Sequence, residues 1–84
     1  MTVEEVEKMI RWKKQEFNRN GWNAMDLSLK DILNSSDVQD VAEGMKRNML
    51  EGDTVIEGDI DHPDKSLTIR YYCDNLSDSR RRMY

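Results

Sequence analysis

The chain is poor in the residues that carry special chemistry: one Cys, one His and one Pro among 84 residues, with four Gly. Cys73 has no partner in the chain, so no internal disulfide can staple the fold, and the expected setting is a reducing cytoplasm. A single His and a single Cys leave little for nucleophile and base pairings. No Gly-rich phosphate loop, Gly-x-Ser-x-Gly or His-Glu-x-x-His occurs either. No apolar run approaches the roughly 20 residues that cross a bilayer. Glu4, Glu5 and Glu7 stand where a secretory leader would be basic and then apolar. The expectation is a non-enzymatic protein that uses no cofactor and no membrane.

What the chain does have is charge and bulk. It is 36% charged and 37% hydrophobic, with two Trp, three Tyr, one Phe and six Met, enough apolar volume for one small core. A domain of this size buries only about 60–65% of the surface its unfolded chain exposes. The expectation is therefore one α+β domain over residues 1–76, followed by a basic tail over 77–84 that frays.

Thr2-Val3-Glu4-Glu5 is a capping box, and Val3, Val6, Ile10 and Phe17 share a face, which predicts a helix to about Asn18, stopped by Asn18-Arg19-Asn20-Gly21. Residues 26–34 read as a short helix with Leu29, Ile32 and Leu33 inward, started by Ser28 or Asp26, with an extended Met25-Asp26-Leu27 lead-in as the alternative. Ser36-Asp37-Val38-Gln39 is a second capping box before Val38, Val41, Ala42, Met45 and Met49, the clearest helical period in the chain. Gly44 within it suggests close approach of another element, and Gly52 suits the position after the helix. The period then changes to two: Ile56, Gly58 and Ile60, and Leu67, Ile69, Tyr71 and Cys73, alternate with polar residues around the turn residues Asp61-His62-Pro63-Asp64-Lys65. Three helices followed by a C-terminal antiparallel hairpin is the predicted layout. Its core is Val6, Ile10, Phe17, Leu29, Ile32, Leu33, Val38, Val41, Met45, Met49, Ile56, Ile60, Leu67, Ile69 and Tyr71, with Cys73 as packing.

Charge is segregated. Residues 2–20 sum to +1, residues 21–66 to −7 and residues 67–84 to +2, giving the net −4. Glu57, Asp59, Asp61 and Asp64 make the hairpin tip acidic, but Pro63, Asp64 and Arg70 stand where a calcium loop needs an oxygen donor, a Gly and an acid, so no metal site is expected. An acid field disfavours phosphates and favours a protein partner with a basic surface. Trp12, Trp22 and Tyr72 are the aromatic candidates to anchor such an interface, and Tyr72, Trp12 or an open hairpin edge could serve a homodimer. Opposite in sign are Arg11, Lys13 and Lys14 around Trp12, then Lys46, Arg47 and Arg70, and the run Arg80, Arg81, Arg82. Cations beside aromatics suit single-stranded nucleic acid or an RNA loop.

A long helix, a short helix at Leu29–Leu33, the turn Asn34-Ser35-Ser36, a longer helix and a two-stranded wing resembles the winged helix-turn-helix of small DNA-binding regulators. That resemblance implies a nucleic-acid-binding regulator whose third helix reads the major groove, with Lys46, Arg47, Arg70 and Arg80–Arg82 as phosphate contacts. In general character a compact acidic domain also resembles the inhibitors and regulators carried by phages and other mobile elements. The first expectation is docking on a macromolecular partner through the acidic surface; the second is the winged-helix regulator.

Overall fold

The computed structural model describes residues 2–32, 38–73 and 80–84. The elements are α1 (Val3–Arg19), β1 (Ala24–Ser28), α2 (Leu29–Ile32), α3 (Val38–Arg47), β2 (Thr54–Glu57) and β3 (Thr68–Tyr72). The α+β class holds, with three helices beside a three-stranded antiparallel sheet in the order β1-β3-β2.

The start of α1 is chemical as well as hydrophobic. The Glu5 N–H donates to Thr2 Oγ1 at 3.2 Å and the Thr2 N–H to Glu5 Oε1 at 3.1 Å, so two otherwise unpaired donors satisfy each other's side chains. At the far end Asn20 caps the helix and the Gly21 N–H reaches Asn18 O at 3.0 Å. Val6 and Ile10 are fully buried. Val6 lies against α3 at Gly44, where an added Cβ would stand 2.6 Å from Val6 Cβ, so the expected close approach is real and joins α1 to α3.

The strands depart from the expected layout. The predicted helix over 26–34 is instead a strand and one helical turn, because Met25 and Leu27 alternate with Asp26 and Ser28 and both apolar side chains reach the core. β1 runs antiparallel to β3 from Ala24 opposite Tyr72 to Ser28 opposite Thr68. Ser28 does immediately precede α2, and its N–H donates to Asp31 Oδ2 at 3.2 Å. β3 is therefore the centre of the sheet, and β2 and β3 are two strands of three instead of a separate C-terminal hairpin. β2 carries a bulge between Val55 and Glu57, which turns Ile56 outward to 44% exposure and removes it from the core. Gly52 lies in the turn before β2, five residues past the end of α3. Leu33, the turn at 34–36 and the Ser36–Asp37 half of the second capping box lie outside the described residues.

On the inner face of the sheet, Met25, Leu27, Leu67, Ile69, Tyr71 and Cys73 close one core with Val6, Ile10, Leu29, Ile32, Val41, Ala42, Met45 and Met49. Phe17, Val38 and Ile60 are half-buried at its margin. The Tyr71 hydroxyl donates to Met45 O at 2.6 Å, which satisfies the one polar atom of the core's largest side chain.

Two stability outcomes follow from these contacts. Gly44→Ala gains helix propensity but forces Val6 aside, and the net expectation is a loss of about 1–2 kcal/mol in urea unfolding. Burial pushes the Tyr71 phenol well above its usual 10.0, and the Asp53 carboxylate adds to the shift. The folded chain then keeps a proton that the unfolded chain releases. This contribution to stability is complete below pH 10 and declines above it. Tyr71→Phe, weaker at neutral pH by about 1 kcal/mol for the lost hydrogen bond, should lose stability less steeply above pH 10 than the parent. Parallel pH curves for the two proteins would contradict the assignment.

Candidate functional site

The acidic surface is built by the connection from β2 to β3. Gly58 opens it at φ +84°, and a Cβ there would sit 2.8 Å from Leu67 Cα, so both the backbone and the space demand glycine. Two aspartates then organise the loop: the Asp61 N–H donates to Asp59 Oδ1 at 2.9 Å, and the Ser66 N–H to Asp64 Oδ1 at 2.8 Å. The Ser66 side chain and N–H together hold the Asp64 carboxyl below its ordinary value. Glu57, Asp59, Asp61 and Asp64 are all exposed, and no ion pair among the described residues involves any of them. They lie at the Thr68 end of the sheet, as the register of β2 and β3 requires. Among the described residues no group of three or more His, Cys, Asp and Glu side chains converges to hold a metal ion.

The aromatic candidates divide. Trp22 and Tyr72 come together at the opposite end of the sheet, where they line an open groove of about 510 Å³ with Phe17, Ala24, Asp26 and Arg70. Ala24, directly across from Tyr72, is the small residue between the bulky ones. Trp22 is 62% exposed and its ring is tilted against Phe17, centroids 6.5 Å apart. Trp12 is 60% exposed on α1 and does not line this groove.

Three of the six cations proposed as phosphate contacts are engaged with carboxylates. Arg70 grips Asp26 with two hydrogen bonds, Nε to Oδ1 at 2.8 Å and Nη2 to Oδ2 at 3.1 Å, and this contact holds the Asp26 carboxyl below its ordinary range. Arg47 pairs with Glu43 at 3.1 Å, one turn back on α3. Arg80 is held most firmly. Its guanidinium donates to Asp53 Oδ1 at 3.0 Å, to Glu51 O at 2.8 Å and to Tyr72 O at 2.7 Å, and it lies 5.7 Å from the Tyr72 ring centroid. The Asp53 side chain is 0% exposed and also accepts the N–H groups of Leu50 and Tyr72, each at 2.9 Å.

This clasp carries the C-terminus back onto the domain. The Glu51 N–H donates to Arg81 O at 2.8 Å and the Met83 N–H to Met49 O at 2.9 Å, with Leu50 bridged to Arg82. Arg81 and Arg82 are exposed there, and Lys46 reaches over the Tyr84 ring at 4.9 Å. Residues 46–47 and 81–82, far apart in sequence, thus share one end of the molecule. Burial pushes the nearby Lys14 ammonium down, offset by the Asp53 charge, while its Nζ donates to Asn48 O at 3.2 Å.

Sequence reasoning missed Asp53, Asp26, Phe17 and Ala24 as parts of these arrangements. Asp53 looks like any turn acid after Gly52; only its burial distinguishes it. Asp26 had a usable signal, since the period of two around Met25 and Leu27 places it on the outer face of a strand. Compared with protein-family models, curated proteins and solved structures, the chain gives no match.

The three terminal arginines should separate cleanly in urea unfolding. Arg80→Ala strands a buried carboxylate and is expected to cost about 2–4 kcal/mol. Arg80→Lys, whose single ammonium replaces a planar fork spanning three acceptors, should recover only part of that. Arg81→Ala and Arg82→Ala should stay within about 0.5 kcal/mol. Equal effects at all three positions would remove the clasp from the account of stability.

Proposed function

We propose that this protein is a non-enzymatic docking protein that engages a basic surface of a partner protein through the acidic β2–β3 loop. The observation that carries this reading is the contrast in pairing. Glu57, Asp59, Asp61 and Asp64 are exposed without ion pairs among the described residues, whereas Arg47, Arg70 and Arg80 are each committed to a carboxylate. A cluster of unpaired like charges costs self-repulsion that an oppositely charged partner relieves, and it raises the rate of productive encounter. The loop's internal hydrogen bonds support the reading further, because an ordered loop loses less entropy on binding than a loose one.

The order of helices and strands also supports a winged-helix reading of the fold, with the β2–β3 loop as the wing. In that family the third helix meets the major groove. Here the exposed early part of α3 offers Gln39, Asp40 and Glu43, and the wing offers three aspartates and a glutamate. Duplex phosphates would face carboxylates at both places, so on this layout too a basic protein is the better-matched partner.

The test is capture of the tagged protein's partners from a nuclease-treated lysate of its source cells, in parallel with an Asp59→Lys, Asp61→Lys, Asp64→Lys variant. A protein retained by the parent and lost by the variant, with unchanged thermal unfolding, is the expected result. Retention of the same protein by the reversed loop would take the loop out of the mechanism. Loss of every partner on nuclease treatment would overturn the docking reading itself.

A further inference from the structure

The end of α1 closes as one hydrogen-bonded turn around Asn20 and Gly21. The Gly21 N–H donates to Asn18 O at 3.0 Å and the Trp22 N–H to Phe17 O at 2.9 Å, a paired closure that needs a residue of positive φ just past the cap. Gly21 supplies it at φ +83°. The apolar contact that accompanies such a closure is present too, since Trp22 sets its ring against Phe17 in the last turn of the helix, centroids 6.5 Å apart. Asn20 itself is exposed, and its Nδ2 donates to Glu16 O at 3.0 Å.

The same two residues hold the groups of a ring closure. An asparagine side-chain amide and the N–H of the next residue can form a five-membered succinimide, most readily where that residue is glycine, whose nitrogen no side chain shields. Six asparagines occur in the chain, and Asn20 alone precedes a glycine; Arg19, Ala24, Ser35, Met49 and Leu76 follow the others. There is room for the ring, because a Cβ built on Gly21 meets nothing within 4 Å. The hydrogen bonds of the turn must open before the ring closes, and helix ends are among the parts of a domain that open most easily.

We infer that Asn20 is a site of spontaneous deamidation whose isoaspartyl product releases Trp22 from Phe17. Hydroxide takes the Gly21 amide proton, the nitrogen attacks Asn20 Cγ, and the Cγ–Nδ2 bond breaks with loss of ammonia. Water then opens the succinimide at one carbonyl or the other, leaving aspartate or the isoaspartyl linkage. Aspartate keeps the backbone, but it lacks the Nδ2 donor and turns a carboxylate toward Glu16 O, at the negative end of the helix dipole. Isoaspartate changes more, because the main chain then runs through Cβ and Cγ and gains one carbon between residues 20 and 21. The N–H groups of Gly21 and Trp22 are carried away from Asn18 O and Phe17 O, and the turn no longer closes. Trp22 lines the groove beside Tyr72, so the modification alters that surface. The inference goes beyond the docking reading and does not rest on it: Asn18 Nδ2 donates to Cys73 O, which places this end of α1 at the Tyr72 end of the sheet, away from the acidic loop.

The experiment ages the full chain carrying Trp12→Phe, so that Trp22 alone reports, at neutral and at mildly alkaline pH, both folded and in urea. Peptides are mapped by mass, with fragmentation that separates the two linkages. In the folded chain Asn20 is expected to convert before any other asparagine and faster at the alkaline pH. Opening the turn should slow it by about 10- to 100-fold relative to urea. The isolated isoaspartyl chain should show lower Trp22 fluorescence anisotropy than the unaged chain. Asn20→Asp, which adds the charge without the extra carbon, should keep the anisotropy of the parent. Asn20→Gln, whose longer side chain does not form the five-membered ring, should keep it throughout ageing. Earlier conversion of another asparagine, conversion confined to urea, or an isoaspartyl chain with unchanged Trp22 anisotropy would each overturn the inference. An equal fall in Asn20→Asp would do so as well, by assigning the release of Trp22 to charge.

Discussion

The fold's second half hangs on one buried carboxylate. Asp53 takes the N–H groups of Leu50 and Tyr72 and the guanidinium of Arg80, so a single side chain joins the turn before β2, the end of β3 and the returning C-terminus. A fully buried acid is tolerable only when such partners replace its water. Because Arg80 also binds Glu51 O and Tyr72 O, the pair fixes backbone on both sides of itself. The position of Tyr72, and with it one wall of the groove, is a consequence of that clasp. So is the placement of Arg81 and Arg82 beside Lys46, since the chain that carries them enters through Arg80.

The helical half was legible because its signals are local. Thr2 and Glu5 announce the capping box, Val41, Ala42 and Met45 mark the inward face of α3, and Gly44 marks the contact with Val6; each needs only neighbours within a turn or two. The apolar face of β3 was legible for the same reason, a strict period of two from Leu67 to Cys73. β1 was not, because a five-residue strand running directly into a turn of helix leaves Leu27, Leu29 and Ile32 consistent with either period. Its pairing with β3 is set by contacts 40 and 44 residues away, Ser28 Oγ with Thr68 Oγ1 at 2.8 Å and Asp26 with Arg70. The bulge that expels Ile56 is equally non-local. For the functional surfaces, sequence supplied the acidic loop as a contiguous run, but the groove draws on α1, β1 and β3, and no window of sequence contains it.

Charge organisation follows from the same topology. β2 and β3 run in opposite directions, so the loop joining them and the segment that precedes β2 stand at opposite ends of the sheet. Carboxylates fill the loop, and the segment before β2 receives the arginine-rich terminus. A net charge of −4 therefore describes neither end. Within a Debye length of its surface each end presents its own sign to a partner, and the average over the molecule carries little information about binding.

The outer face of the sheet explains why both surfaces are available at all. The described helices pack against one face of the sheet, and the side chains of Ala24, Asp26, Ser28, Thr68, Arg70 and Tyr72 make up the other. That face is made polar by pairs that satisfy each other, Asp26 with Arg70 at its middle and Ser28 with Thr68 at the end next to the acidic loop. At its ends it carries carboxylates that form no ion pair among the described residues, beyond Thr68, and aromatic surface at Trp22 and Tyr72. Leaving Trp22 exposed forgoes stabilisation of roughly 1.5–3 kcal/mol that a buried large apolar side chain provides, in a domain whose whole margin is about 5–15 kcal/mol. The inner face leaves no large side chain exposed, whereas Trp12 on α1 and Ile56 at the bulge of β2 stand out to solvent as Trp22 does.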